Sequence, residues 1–160
     1  DHSSLACIPP EVNGKAKLLV KQEGILAGVE LAEKIFKFFD NDSSLEILMK
    51  DGDEMKYGDI AFYVSGNTHA ILKAERLVLN CMQRMSAVAT KTHEVASLIS
   101  DLPTTILDTR KTTPLLRFLE KYYHALGLKA FCPFCGADLD VQSSGYGAAG
   151  YPISKAAIGR

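Results

Sequence analysis

Three things are scarce in this sequence: charge of one sign, long apolar runs, and cysteine. Lys plus Arg number 18 against 19 Asp plus Glu, a net charge of -1. A nucleic-acid binder would carry a basic excess, so that class of partner is not expected. Every apolar stretch is interrupted by Lys, Glu or Asp before it reaches spanning length, so no membrane segment is expected either. The opening residues lack the charged-then-apolar pattern of a secretory leader. The 4 cysteines, two of them in one Cys-x-x-Cys, do not make a secreted disulfide framework, and a reducing cytoplasm is the expected compartment. No Gly-x-x-x-x-Gly-Lys-Ser/Thr phosphate loop occurs. The chain starts on Asp1, and further sequence is expected before it.

What is present is a globular composition, 47% hydrophobic and 23% charged, over 160 residues, enough for one well-cored domain or one domain and part of another. Residues 14–21 end in the apolar run Leu18-Leu19-Val20 and predict a strand, with a turn at Glu23-Gly24. Leu31, Ala32, Ile35, Phe36 and Phe39 recur at helical spacing and predict a helix over 29–39. Leu45, Ile47 and Met49 alternate with polar residues, a half-buried strand closed by Asp51-Gly52-Asp53. Residues 60–64 form a further strand. Strand, helix, strand, strand is an α/β sandwich pattern. From Thr68, the expected N-cap, to Ile99 the chain reads as helical, with Ile71, Val78, Met82, Met85 and Ala89 on one stripe. That span is long for one helix, and a break is expected near Ser86.

After a linker at 100–103, Thr104-Thr105-Ile106-Leu107 predicts a strand that delivers Asp108-Thr109-Arg110-Lys111-Thr112-Thr113-Pro114. Thr113-Pro114 is read as an N-cap followed by proline in the first helical position. The helix behind it carries Leu115, Leu116, Leu119, Tyr122 and Tyr123 and stops at Gly127. Two adjacent cations at a strand exit stand where α/β barrels carry their chemistry. Arg110 offers a planar fork for carboxylate or phosphate, and Lys111 a mobile point charge. Glu75-Arg76 puts full charges in an otherwise apolar helix, where they must be exposed, paired or aimed at a cleft.

Other motifs carry less. Cys132 and Cys135 supply two of the four ligands a closed zinc site needs, with Cys7 and Cys81 isolated and His124 a weak extra candidate, so zinc is not expected. Gly145-x-Gly147-x-x-Gly150 matches a dinucleotide fingerprint in letters but follows Gln-Ser-Ser instead of an apolar strand, and is rejected. His2, His69 and His93 have no nucleophile or second ligand at a telling spacing.

From Asp1 to about Tyr122 the chain resembles the quinolinate phosphoribosyltransferases, the carboxylating nicotinate-nucleotide pyrophosphorylases. The matching blocks are residues 6–9, 14–18, 24–30, 74–80, 83–86, 89–90 and 107–114, of which Ala74-Glu75-Arg76 and Asp108-Thr109-Arg110-Lys111-Thr112-Thr113-Pro114 are the most specific. The resemblance implies a mixed α+β and α/β fold. In it, residues 1–102 form an N-terminal α/β sandwich with a long helical segment, and 103–127 the first strand and helix of an incomplete α/β barrel. It implies transfer of phosphoribose from phosphoribosyl pyrophosphate, with Mg2+, to quinolinate, giving nicotinate mononucleotide, pyrophosphate and carbon dioxide. It also implies Lys111 as a catalytic residue, and Thr109, Arg110 and Lys111 as substrate-binding residues. Arg76 matches an arginine that reaches the neighbouring subunit's active site, so a homodimer or higher oligomer with shared sites is implied.

Two departures stand out. Leu115 occupies a position where the family has glycine, which a helix is expected to tolerate. Beyond Tyr123 the family's Gly-rich turn, Asn-His-Arg run, later lysine and acidic strand ends are not recognisable, and 128–160 is expected to be a divergent, weakly ordered tail from a truncation or changed reading frame. A single barrel strand cannot close a barrel. The alternative expectation is therefore a catalytically incompetent fragment that acts at most as a dimerising domain.

Overall fold

Alternation in Asn13–Leu19 sends Lys15 and Lys17 to solvent and Ala16 and Leu18 toward the core, and this segment is the edge strand β1 of a three-stranded sheet. The computed structural model describes residues 2–104, 106–107 and 111–127. The described elements are α1 (His2–Cys7), β1, β2 (Gly24–Ile25), α2 (Val29–Phe39), β3 (Ser44–Ile47), β4 (Glu54–Met55), β5 (Ile60–Asn67), α3 (Thr68–Leu98) and α4 (Arg117–Gly127). The chain divides into two compact units, Asp1–Ser86 and Ala87–Arg160.

In the first unit the sheet order is β1-β5-β3, all antiparallel, with Ala16 opposite Val64 and Leu45 opposite Val64 on the other side. Strand β5 is central, and its Ala61, Phe62 and Val64 are at most 2% exposed. Two elements lean on it through side chains: Phe36 of α2 meets Phe62 edge-on with ring centroids 6.2 Å apart, and Ala74, Val78 and Met82 of α3 join the same core. Each large apolar side chain buried there contributes roughly 1.5–3 kcal/mol, and the aromatic pair about 1 kcal/mol more. A second antiparallel pair, β2 with β4, is only two residues long on each side. Period-2 reading misses strands so short, and it assigned Gly24 to a turn.

Helix α3 corrects two expectations. Its N-terminal N–H groups are satisfied by Asn67, whose Oδ1 accepts from His69 at 3.0 Å and Ala70 at 3.3 Å, so Asn67 and not Thr68 is the capping side chain. The expected break near Ser86 is absent. The stretch contains neither Gly nor Pro, and the Ser86 hydroxyl is engaged elsewhere: it accepts from the Ala27 N–H at 3.0 Å and donates to the Ala27 carbonyl at 3.3 Å. What changes at Ser86 is the compact unit, not the backbone. The division falls inside α3, ahead of the linker at 100–103 where composition had drawn it. The expected stripe does hold, with Ile71, Val78, Met82, Met85 and Ala89 all buried.

In the second unit α4 closes on the last turns of α3. A Cβ placed on Gly127 would collide with the Ala89 carbonyl, and the Gly127 carbonyl lies 3.2 Å from His93 Nδ1. Tyr123 is buried there. Among the described residues of the expected barrel strand, Thr104, Ile106 and Leu107 lie outside any strand, and Leu107 is 63% exposed. A parallel strand owes its hydrogen bonds to neighbours, and no described strand of this unit offers any.

The start of α4 is also corrected. Thr113-Pro114 is not a cap and first helical residue; the helix begins at Arg117. Leu116 N–H donates to the Thr113 carbonyl at 3.0 Å, Pro114 occupies the second turn position, and Leu115 holds φ 65 in the third. Those features define a type II turn, whose third position favours glycine. A glycine, expected here from the resemblance, would suit this left-handed backbone, in which Leu115 sits wholly exposed. Left-handed backbone costs a leucine roughly 1–2 kcal/mol, part of which glycine returns as unfolded-state entropy. Leu115→Gly should therefore stabilise the second unit by about 0.5 kcal/mol or slightly more in urea denaturation.

Candidate active site

The candidate site residues fall in both units. Arg76 lies on α3 in the first unit, exposed beside exposed Lys73, Leu77 and Asn80. Spacings of three and four put these side chains on one face, opposite the buried Ala74, Val78 and Met82. Glu75 is exposed as well, and neither Glu75 nor Arg76 forms an ion pair among the described residues. Of the three fates open to a charge in an apolar helix, exposure is the one realised. A guanidinium held by a rigid helix with its fork in solvent can bind a carboxylate or phosphate from outside the unit.

Lys111 lies in the second unit, exposed, two residues ahead of the type II turn. Thr109 and Arg110 lie outside the described residues, as do Cys132, Cys135, the Gly145 to Gly150 run and the rest of 128–160. Thr113 is held by the carboxylate of Glu120, one turn into α4. The Thr113 hydroxyl donates to Glu120 Oε1 at 2.8 Å and the Thr113 N–H at 3.3 Å. Sequence reading passed over Glu120, since a seven-residue separation from Thr113 is no helical neighbour relation.

A second carboxylate was also missed. Asp51 reads as a turn residue, but its Oδ1 accepts from Gly28 N–H at 2.6 Å and Val29 N–H at 2.8 Å, capping α2 from another part of the chain. Gly28 itself is left-handed, φ 105, with Met82 and Met85 packed where a Cβ would stand. Burial pushes the Asp51 carboxyl above its ordinary 3.8, against the pull of the N–H groups of Val29, Gly28 and Glu30. Its role is to terminate α2. Two histidines are likewise structural: His69 Nε2 lies 2.8 Å from the Ile8 carbonyl, and His93 Nδ1 lies 3.2 Å from the Gly127 carbonyl.

Among the described residues no three His, Cys, Asp or Glu side chains stand together as a metal site. No described helix is long and apolar enough to cross a membrane.

Comparison with known proteins assigns these features to one class. Residues 1–86 match the quinolinate phosphoribosyl transferase N-terminal domain, and residues 88–127 the C-terminal domain of the same enzyme. The chain belongs to the quinolinate phosphoribosyltransferase family. It is 44% identical over 127 residues to a carboxylating nicotinate-nucleotide pyrophosphorylase, chloroplastic, of Arabidopsis thaliana, covering 79% of this chain and 36% of that protein. A probable carboxylating nicotinate-nucleotide pyrophosphorylase of Synechocystis is 37% identical over 114 residues, 71% of this chain and 39% of its own length. Among solved structures, NadC from Streptococcus pyogenes superposes with a TM-score of 0.77 at 33% identity, over 79% of this chain and 45% of that one. The chain thus spans well under half the length of these relatives. Tobacco relatives are named as mitochondrial, so compartment varies across the family.

Two outcomes are expected from these positions. Arg76→Ala should change stability by less than about 0.5 kcal/mol in urea denaturation, because the side chain is exposed and in no ion pair among the described residues. Asp51→Ala should cost about 1 kcal/mol through the lost cap, and Asp51→Asn, which keeps an acceptor, clearly less. The raised carboxyl pKa favours the neutral form in the folded state. Its contribution is full below 3.8 and is lost as pH rises through the folded value, so Asp51→Asn should gain on the native chain as pH rises across that range.

Proposed function

We propose that this chain serves quinolinate phosphoribosyl transfer: quinolinate and phosphoribosyl pyrophosphate are converted to nicotinate mononucleotide, pyrophosphate and carbon dioxide, a step of pyridine-nucleotide synthesis. The observation that carries the reading is the succession of the two family domains, 1–86 and 88–127, in one chain and in the enzyme's order. In this reading Arg76 and Arg110 present planar forks to the two carboxylates of quinolinate, while Thr109 and Lys111 meet substrate beside them. Lys111 is the proposed catalytic residue. An ammonium held near the reacting sugar stabilises the pyrophosphate that departs as the ribosyl carbon becomes cationic. Magnesium enters the proposal only as the companion of the diphosphate; no step here is routed through it.

Arg76 is exposed on α3, as it must be to serve a site completed by a second copy, which supports a homodimer with shared sites. The cytoplasmic location read from cysteine usage belongs to the same proposal, and the free thiols Cys7 and Cys81 support a reducing compartment. A second reading, a domain that folds without turnover, is favoured by the lack of strand at the described residues Thr104, Ile106 and Leu107, where the first barrel strand should lie.

One assay separates them. Incubation with quinolinate, phosphoribosyl pyrophosphate and magnesium should yield nicotinate mononucleotide, and Arg76→Ala should lower kcat/KM at least about 100-fold. A cooperative melt with no product and no quinolinate-induced shift would replace the first reading with the second.

A further inference from the structure

The chain ahead of β1 is tied to the first unit by side chains of α3. Helix α1 has six residues and buries none of them. In water a helix needs about 12 residues for even marginal stability, so α1 does not hold by itself. Between α1 and β1 lie Pro9 and Pro10, which have no N–H, so the backbone there offers only acceptors. Two side chains at the head of α3 supply donors. His69 Nε2 lies 2.8 Å from the Ile8 carbonyl, and since a carbonyl only accepts, that nitrogen carries the proton. Asn67 Nδ2 donates to the Pro10 carbonyl at 2.7 Å. Asn67 is itself fixed, because its N–H donates to Asp40 Oδ2 at 2.9 Å while its Oδ1 caps α3. From Val12 onward the chain joins the sheet, with Thr68 N–H donating to the Val12 carbonyl at 2.9 Å and Asn13 paired with Asn67.

His69, Lys73, Arg76 and Asn80 follow one another at spacings of four, three and four, and so share one face of α3. Lys73, Arg76 and Asn80 are exposed, while His69, at the end where Ile8 meets it, is half-buried. We propose that residues 2–11 are a detachable strap. His69 and Asn67 latch it, by its Ile8 and Pro10 carbonyls, to the head of the α3 face that carries Arg76. The strap opens as a unit, α1 melting with it, while the core over β5 stays folded. Opening gives up little apolar burial, since no residue of α1 is buried, and local openings of that kind lie well below global unfolding in free energy. It bares the first turn of the Arg76 face.

Amide hydrogen exchange of the full 160-residue chain, followed against urea, tests this. The Ile8 amide, which bonds the Ser4 carbonyl at the end of α1, should exchange through an opening nearly independent of urea. It should exchange at least about 100-fold faster than the amides of the central strand β5. His69→Phe, which keeps a ring and loses the donor, should speed Ile8 exchange about fivefold. Asn67→Ser, which keeps a capping oxygen and is too short for Pro10, should do about the same, and the double variant roughly 30-fold. Ile8 exchanging in the native chain with the rate and urea dependence of β5 overturns the proposal, since residues 2–11 would then belong to the global unit. Unchanged Ile8 exchange in the double variant overturns it as well, by showing that the segment is held elsewhere. The double variant should keep one cooperative urea transition, and its loss would make the latch part of the core and overturn a detachable strap.

Discussion

The structure depends on one uninterrupted helix. Over Thr68–Leu98 the chain has no residue that forces a stop, and its buried stripe runs from Ile71 through Met85 to Ala89. Ala74, Val78 and Met82 complete the core over β5, and Ala89 and Thr92 offer the surface that Gly127 approaches. The Ser86 hydroxyl is not free to bond back to its own helix and bend it, because it is spent on both polar groups of Ala27. That pair also pins the residue just before the left-handed Gly28, at the point where Asp51 caps α2. Helix continuity and the entry of α2 are thus settled by the same few atoms.

With the inner stripe occupied by packing, the opposite face of α3 is left in solvent, and Arg76 stands on it. An exposed, rotamer-rich cation contributes little to folding. Its placement makes sense as a reach toward something outside the unit. Lys111 is different in kind. It sits on irregular backbone, and irregular backbone holds a charge in place only if other groups fix it. The bonds of Thr113 to Glu120 and Leu116 meet that need at one end.

How much of this was legible in the sequence follows from the range of each interaction. The α2 helix, the buried stripe of α3 and the alternation of β1 are periodic, and periodicity is local. The two-residue strands β2 and β4 contain no period to read. Asn67 outcompeted its neighbour Thr68 as the cap of α3 by one position, within the ordinary ambiguity of helix ends. Asp51 looked like turn chemistry, and only the long-range return of the chain brings it to Gly28 and Val29. Arg76 and Lys111 stood out as charges in apolar or β/α context, and both are exposed in the fold. Glu120 did not stand out, because its partner comes into reach only through the turn at Pro114-Leu115.

That turn shows why the same letters supported two local structures. Thr-Pro can open a helix, with threonine as cap and proline in the first turn, or can open a type II turn. The residue that arbitrates is the next one, and a glycine there would have pointed to the turn at once. Leucine hides the signal, since its own preference is helical. The turn persists because its neighbours over-determine it: Thr113 is engaged at N–H, hydroxyl and carbonyl, and the wholly exposed Leu115 side chain has no packing of its own to defend. A strand has no such local resource. The described residues ahead of the cationic run, Thr104, Ile106 and Leu107, lie outside any strand despite their β-prone composition, because a ladder must come from neighbouring strands and a turn can be built from seven or eight consecutive residues.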